Sequence, residues 1–158
     1  MFEGLTANDI ELLNCYQLLA VHGKKELHDY VRYLLCKQYR RELMAAIFQN
    51  QLIHNLCHSV LHIIDKDEFD FNHLSRRIRQ IKELYYGIYE QVYSKYSEHI
   101  ENLDPIEIVR EFGKNSFDNI ERALQTKEHV LIRGEIIEFY EEFKTLGKQK
   151  EARKIVAV

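Results

Sequence analysis

The feature that most restricts the fold of this chain is the scarcity of residues that interrupt helices. Its 158 residues include one proline and six glycines, and apolar residues recur at intervals of three and four nearly everywhere. This spacing follows the period of a helix and leaves strands almost no place to form. The sequence therefore predicts an all-α fold, an elongated antiparallel bundle of four to six helices, two of them long.

The first helix has a recognisable start. Thr6 is followed three residues later by Asp9, which is the spacing of a capping box. We expect the helix to run to about His22 and to be capped by Gly23. Residues 24–65 contain no breaker and predict one very long helix or two nearly collinear ones.

A second long helix follows the polar turn at residues 65–68. From Phe71 to Val92 the apolar residues alternate strictly by three and four over three heptads, a pattern typical of a helix that packs along another long helix. We expect two copies of the chain to associate along this seam.

Later helix boundaries are indicated by caps and glycines. Asp104 and Pro105 predict a helix start, with Asp104 as cap and Pro105 in the first turn. Gly113 is expected to interrupt that helix. Thr126 is expected to cap a last helix that ends near Gly147.

Composition bounds the class of protein. Apolar residues make up 46% of the chain and charged residues 30%, as in globular proteins. We expect a single helical-bundle domain over residues 1–147 and a basic, frayed tail over residues 148–158. The chain has 22 Lys and Arg against 25 Asp and Glu, so its net charge does not favour binding to nucleic acid or to an anionic membrane.

The cysteines and the N-terminus point to the cytoplasm. Cys15, Cys36 and Cys57 lie in segments predicted as helix, and an odd number of thiols there favours reduced cysteines that act as small apolar fillers. Residues 1–6 lack the pattern of a secretion signal, and no stretch approaches the length of a membrane span. We expect a cytoplasmic protein with no membrane partner.

Three histidines form the most unusual motif. His54, His58 and His62 are spaced four apart, so they share one helix face beside the apolar stripe. Two imidazoles at this spacing can bind one divalent transition metal, and the sequence predicts these three residues as candidate ligands. The alternative is a polar helix face or a hydrogen-bonding strip between helices.

A stripe of tyrosines lies beside the heptad seam. Tyr85, Tyr89, Tyr93 and Tyr96 repeat at helical spacing, and tyrosine can bury its ring while its hydroxyl stays in water. We predict Tyr85, Tyr89 and Tyr93 as ligand-binding residues in a pocket between helices. The alternatives are a protein interface or a wide helix face in the bundle.

Two short segments resemble known families. Arg122 and His129 are separated by six residues, a spacing similar to the motif of the HEPN family of helical ribonucleases, although Ala123 stands where that family usually has a polar residue. This resemblance implies that Arg122 and His129 act on a phosphodiester. The second segment, residues 5–43, contains Glu11-Leu12-Leu13, Tyr16, Leu18-Leu19 and the run from Asp29 to Leu35. Through these residues it resembles the helical segment that follows the DNA-binding motif in some bacterial phage-repressor-type regulators, which implies regulation or oligomerisation.

The motifs of the ordinary enzyme classes are missing from the sequence. It contains no glycine-rich phosphate loop, nucleophile elbow or paired metal-binding cysteines, and nucleic-acid binding is not favoured. We therefore expect a non-catalytic, bacterial regulatory or interaction protein that pairs with itself or with a helical partner. The alternatives are a ligand-sensing or metal-binding domain that uses the histidines, and a HEPN-like ribonuclease.

Overall fold

The computed structural model describes the backbone of residues 4–156 and the side chains of residues 4–148. This part of the chain contains six helices and no strand, which confirms the all-α prediction. No helix within it combines the length and the apolar character that crossing a bilayer requires. The helices are α1 (Ala7–Leu18), α2 (Val21–Phe48), α3 (Gln51–Ile64), α4 (Phe71–Ser97), α5 (Glu107–Thr126) and α6 (His129–Val156).

The chain divides into two compact units, with the boundary between Lys37 and Gln38 inside α2. The second unit is an antiparallel bundle in which α3 packs on α4, α4 on α5, α5 on α6, and α6 back on α3. Lys82 of α4 pairs with Glu121 near the end of α5, whereas Tyr85, further along α4, lies against Gly113 near its start. These two helices therefore run in opposite directions.

The core of the second unit is aromatic. Phe48, at the end of α2, packs against rings from three other helices, with centroid distances of 6.3 Å to Tyr85, 5.6 Å to Phe112 and 5.2 Å to Phe143. Offset and edge-to-face contacts of this kind stabilise a core beyond the area that they bury. The Phe48 ring thus connects three of the four helices of the bundle, α4, α5 and α6.

The apolar seam of α4 belongs to this core. Its residues Leu74, Ile78, Ile81, Tyr85 and Val92 are all buried within the chain. The prediction that two copies associate along this seam is therefore wrong, because the chain's own helices already cover it. Self-association through some other surface stays a prediction.

The first helix starts as expected and ends earlier. Thr6 and Asp9 form the predicted capping box, in which Asp9 N–H donates to Thr6 Oγ1 and Thr6 N–H donates to Asp9 Oδ2. The second of these bonds holds the pKa of the Asp9 carboxyl below its usual value. The helix ends at Leu18, and Gly23 lies inside α2, so its prediction as a C-cap is wrong.

Of the two alternatives predicted for residues 24–65, one very long helix or two helices, the structure shows two, α2 and α3. Asn50 separates them as the N-cap of α3, where its side chain accepts a hydrogen bond from Ile53 N–H. A side-chain oxygen at this position satisfies a donor that the helix itself cannot pair. The break places Phe48 at the junction of the two helices.

Three later boundaries also differ from the sequence prediction. The helix after Pro105 begins at Glu107, with Ile106 as an N-cap whose side chain makes no hydrogen bond, so the predicted Asp104 cap is wrong. Gly113 does not interrupt α5, and α6 continues past Gly147 to Val156. A fourth boundary differs too: Thr126 is the last residue of α5, and its hydroxyl accepts from Glu128 N–H before α6 begins at His129, so its prediction as the cap of the last helix is wrong.

Gly113 provides a test of the bundle. A Cβ at Gly113 would lie 2.6 Å from Tyr85 Cε1, whereas a Cβ at Gly134 would meet nothing within 4 Å. We expect Gly113→Ala to lower the free energy of unfolding by about 1 to 3 kcal/mol through overpacking. Gly134→Ala, the matched control, should raise it by about 0.5 to 1 kcal/mol because alanine favours the helix. Chemical denaturation measures both, and equal effects would contradict this packing.

Candidate functional site

The first unit exposes its apolar residues. We call residues 4–37 the N-terminal hairpin; it contains α1 and the first part of α2, and none of its residues is buried. Of the sixteen exposed large apolar residues among the described ones, eleven belong to this hairpin. They are Leu5, Ile10, Leu12, Leu13, Leu18, Leu19, Val21, Tyr30, Val31, Tyr33 and Leu34.

The α2 part of the hairpin carries a continuous apolar stripe. Leu27, Tyr30, Val31, Leu34 and Leu35 follow one another at helical spacing, so they lie on one face of α2. Leu27 and Leu35 are half-buried, and the other three side chains are exposed. A contiguous exposed apolar face of this kind is unusual on a monomeric protein.

Few contacts hold the two helices of the hairpin together. Tyr16 of α1 and His28 of α2 form a hydrogen bond, with Oη and Nε2 2.8 Å apart, and their rings meet edge to face. The Lys24 ammonium lies 5.3 Å from the centre of the Tyr16 ring. The hairpin therefore depends on polar and aromatic contacts near its surface.

The charges of the hairpin balance. Residues 4–37 contain four acidic and four basic side chains. A surface with equal numbers of both signs does not repel a copy of itself. The acidic residues are Asp9, Glu11, Glu26 and Asp29, and the basic ones are Lys24, Lys25, Arg32 and Lys37.

Two of the three histidines spaced four apart on α3, His54 and His58, share one hydrogen-bond partner. His54 Nδ1 lies 3.4 Å and His58 Nε2 3.0 Å from the hydroxyl of Tyr140 on α6. His54 Nε2 lies 2.9 Å from the carbonyl oxygen of Phe48. Because a carbonyl only accepts, His54 Nε2 carries the proton, and in neutral His54 Nδ1 is then the acceptor. The network ties α3 to α6 through Tyr140.

His62 lies apart from this network. It is exposed and lines a shallow cleft together with Asp65 and Arg133. Among the described residues, no group of three or more His, Cys, Asp or Glu side chains is arranged to hold a metal ion. Metal binding by His54, His58 and His62 stays a prediction, and the structure brings only the first two onto a common partner.

The tyrosine stripe divides between core and cleft. Tyr85 is fully buried, burial raises its pKa, and its hydroxyl donates to the Val109 carbonyl. Tyr85 and Tyr89 both line a cleft of about 490 Å³ between α4 and α5, together with Arg110. Tyr93 does not line this cleft; its ring stacks on that of Tyr89 at 6.0 Å. Ligand binding by these tyrosines stays a prediction.

Arg122 and His129 have separate surroundings. Arg122 is exposed on α5 and donates to Asn119 Oδ1. His129 packs against Phe69 and Phe71, with ring centroids 4.4 Å and 5.2 Å away. Its Nδ1 is buried without a hydrogen-bond partner among the described residues. A ribonuclease role for this pair stays a prediction.

The cysteines are free thiols. Cys57 is buried, and burial raises its pKa to about 12, as expected for an apolar filler. Cys15 is exposed, so the prediction that it fills a core is wrong.

The exposure of the hairpin and the role of Tyr140 were missed by sequence reasoning. One signal was present: Ile10, Leu12, Leu13 and Leu18 are spread around α1 instead of forming one stripe. A helix that covers a core concentrates its apolar residues on one side. For Tyr140 no local signal exists, because its partners lie on another helix.

Two buried tyrosines are expected to respond differently to removal of the hydroxyl group. Tyr85→Phe removes a hydroxyl that donates to a buried carbonyl, so we expect a loss of about 1 kcal/mol in the free energy of unfolding. Burial and the neighbouring Tyr89 hydroxyl raise the pKa of Tyr39, but the Tyr39 hydroxyl makes no well-formed hydrogen bond among the described residues, so Tyr39→Phe should lower stability less than Tyr85→Phe does. Denaturant melts of the two variants, which lose the same atom, compare them directly. A larger loss from Tyr39→Phe would contradict these assignments.

Comparison of the chain with protein-family models, with curated proteins and with solved structures gives no match. Support for a function therefore comes from the residues and contacts described above.

Proposed function

We propose that this chain is a non-catalytic helical interaction protein that forms a dimer through its N-terminal hairpin. One observation carries the proposal: no residue from 4 to 37 is buried, although this segment holds most of the exposed large apolar residues. Helix α1 has 12 residues and no buried side chain. A helix shorter than about 12 to 15 residues is marginal without tertiary packing, so a second chain would supply the missing burial.

The size of the apolar surface fits a second copy of the chain. Eleven large apolar residues that are between 39% and 88% exposed together leave on the order of 1,000 Å² of surface, at roughly 150 to 250 Å² for a large side chain. Because those of α1 are spread around the helix, an interface on one side of α1 covers only part of this area. A stable interface needs about 800 Å² from each partner. The balanced charges of the hairpin allow the same surface to meet itself around a two-fold axis.

Two further features support this function. The resemblance to phage-repressor-type regulators covers residues 5–43 and so falls on the hairpin, and it implies regulation or oligomerisation. The exposed Cys15 thiol is suited to a reducing compartment such as the cytoplasm. We infer that the dimer is a cytoplasmic regulatory protein whose bundle stays available to a further partner.

Substitution of the apolar stripe tests the dimer. Leu34 lies within the stripe and is 42% exposed, so Leu34→Asp should leave the folded monomer intact. In a two-fold dimer the change occurs twice, and burial of each leucine contributes about 1.5 to 3 kcal/mol. We expect the dimer dissociation constant to rise more than about a hundredfold, as measured by light scattering over a concentration series.

Val130→Asp is the matched control. Val130 lies on α6, outside the hairpin, and is 82% exposed, so this variant should dimerise like the wild type. Circular dichroism checks that both variants keep their helices. A wild type that stays monomeric at high concentration would overturn the proposal, and so would equal effects of the two substitutions.

A further inference from the structure

A groove on the second unit combines an apolar floor with an acidic rim. It lies between α5 and α6, has a volume of about 500 Å³, and is lined by the apolar side chains of Ile108, Phe112 and Leu146. Its charged lining residues are Glu111, Glu141 and Glu142, and no lysine or arginine lines it.

Aromatic packing fixes the floor of this groove. The Phe112 ring stacks on Phe139 with centroids 5.5 Å apart, and it also meets Phe48, so its position is set by the core beneath. Ile108 is 52% exposed, beside the fully buried Val109. At this point α5 turns Val109 into the core and leaves Ile108 exposed at the groove.

Two of the three rim carboxylates carry negative charge that no described residue neutralises. Glu141 pairs with Lys144, with Oε1 and Nζ 2.9 Å apart. Glu111 and Glu142 form no ion pair among the described residues. Carboxylates at the edge of an apolar groove attract cations and repel phosphates. The rim therefore disfavours nucleic acid and anionic lipid as occupants.

We propose that this groove binds a basic amphipathic helix of a partner protein. Such a helix places apolar residues at intervals of three and four into a groove, where Ile108, Phe112 and Leu146 would receive them. Lysines or arginines that flank its apolar face would lie beside Glu111 and Glu142. All groove residues belong to the second unit and none to the hairpin, so this binding does not depend on the proposed dimer.

A synthetic peptide provides the probe. We would use a fluorescently labelled helix of leucine and lysine, about 15 residues long so that it can form a helix, and its counterpart with glutamate in place of lysine. Fluorescence anisotropy should show binding of the lysine peptide to the full chain and no binding of the glutamate peptide. Binding of both peptides would overturn the proposal.

Two matched pairs of variants locate the site. Glu142→Lys should weaken binding of the lysine peptide about tenfold, which corresponds to about 1.4 kcal/mol, whereas Asp67→Lys makes the same charge change in an exposed loop and should leave it within about twofold. Ile108→Gln should weaken binding, whereas Ile137→Gln, at a site 45% exposed, should not. Equal effects within either pair would overturn the proposal.

Self-association is measured in parallel. If Glu142→Lys dissociates the dimer, a second copy occupies the groove, and the proposed partner helix is wrong. The Leu34→Asp variant should bind the lysine peptide like the wild type, because Leu34 belongs to the hairpin. Light scattering therefore tests whether the hairpin forms a dimer, and anisotropy tests whether the groove binds a basic helix. The two proposals are tested separately.

Discussion

The second unit depends on the packing of Phe48 where α2 ends. The ring contacts Tyr85, Phe112 and Phe143, and the Phe48 carbonyl oxygen accepts from His54 of α3. The same carbonyl leaves so little space at Gly147 that a Cβ there would lie 2.9 Å from it. Phe48, placed by the helix break at Asn50, therefore helps to position the histidine network and limits how closely α6 can approach.

This packing also explains why the second unit buries its apolar residues while the hairpin exposes them. Core contacts begin at Tyr39 and continue through α6, where Phe143 is fully buried, so the second unit holds itself together. The hairpin has no such core and leaves its leucines in water. Because a folded segment must offset the entropy of ordering its residues, these exposed leucines fit a surface that is completed by another chain.

Patterns within a single helix predicted much of this structure, whereas contacts between residues far apart in the sequence could not be predicted. Helical spacing gave the fold class, and the Thr6 capping box was correct because its partner lies three residues away. Gly113 was misjudged as a helix breaker because the reason for a glycine there is the Tyr85 ring on another helix. The heptad seam of α4 was correctly predicted to be covered, but a pattern in one helix does not say which chain covers it. The shared hydroxyl of Tyr140 had no signal near His54 or His58.

Hydrogen exchange at two protein concentrations tests the central claim, that the bundle carries its own core and the hairpin is completed by a second copy. In dilute protein the amides of α3 to α6 should be strongly protected and those of α1 should exchange fast, since exposed helices open readily. In concentrated protein the amides of α1 and of α2 up to Lys37 should gain protection, with the bundle unchanged. Hairpin amides that are as protected as the bundle in dilute protein, or that gain nothing on concentration, would contradict the account.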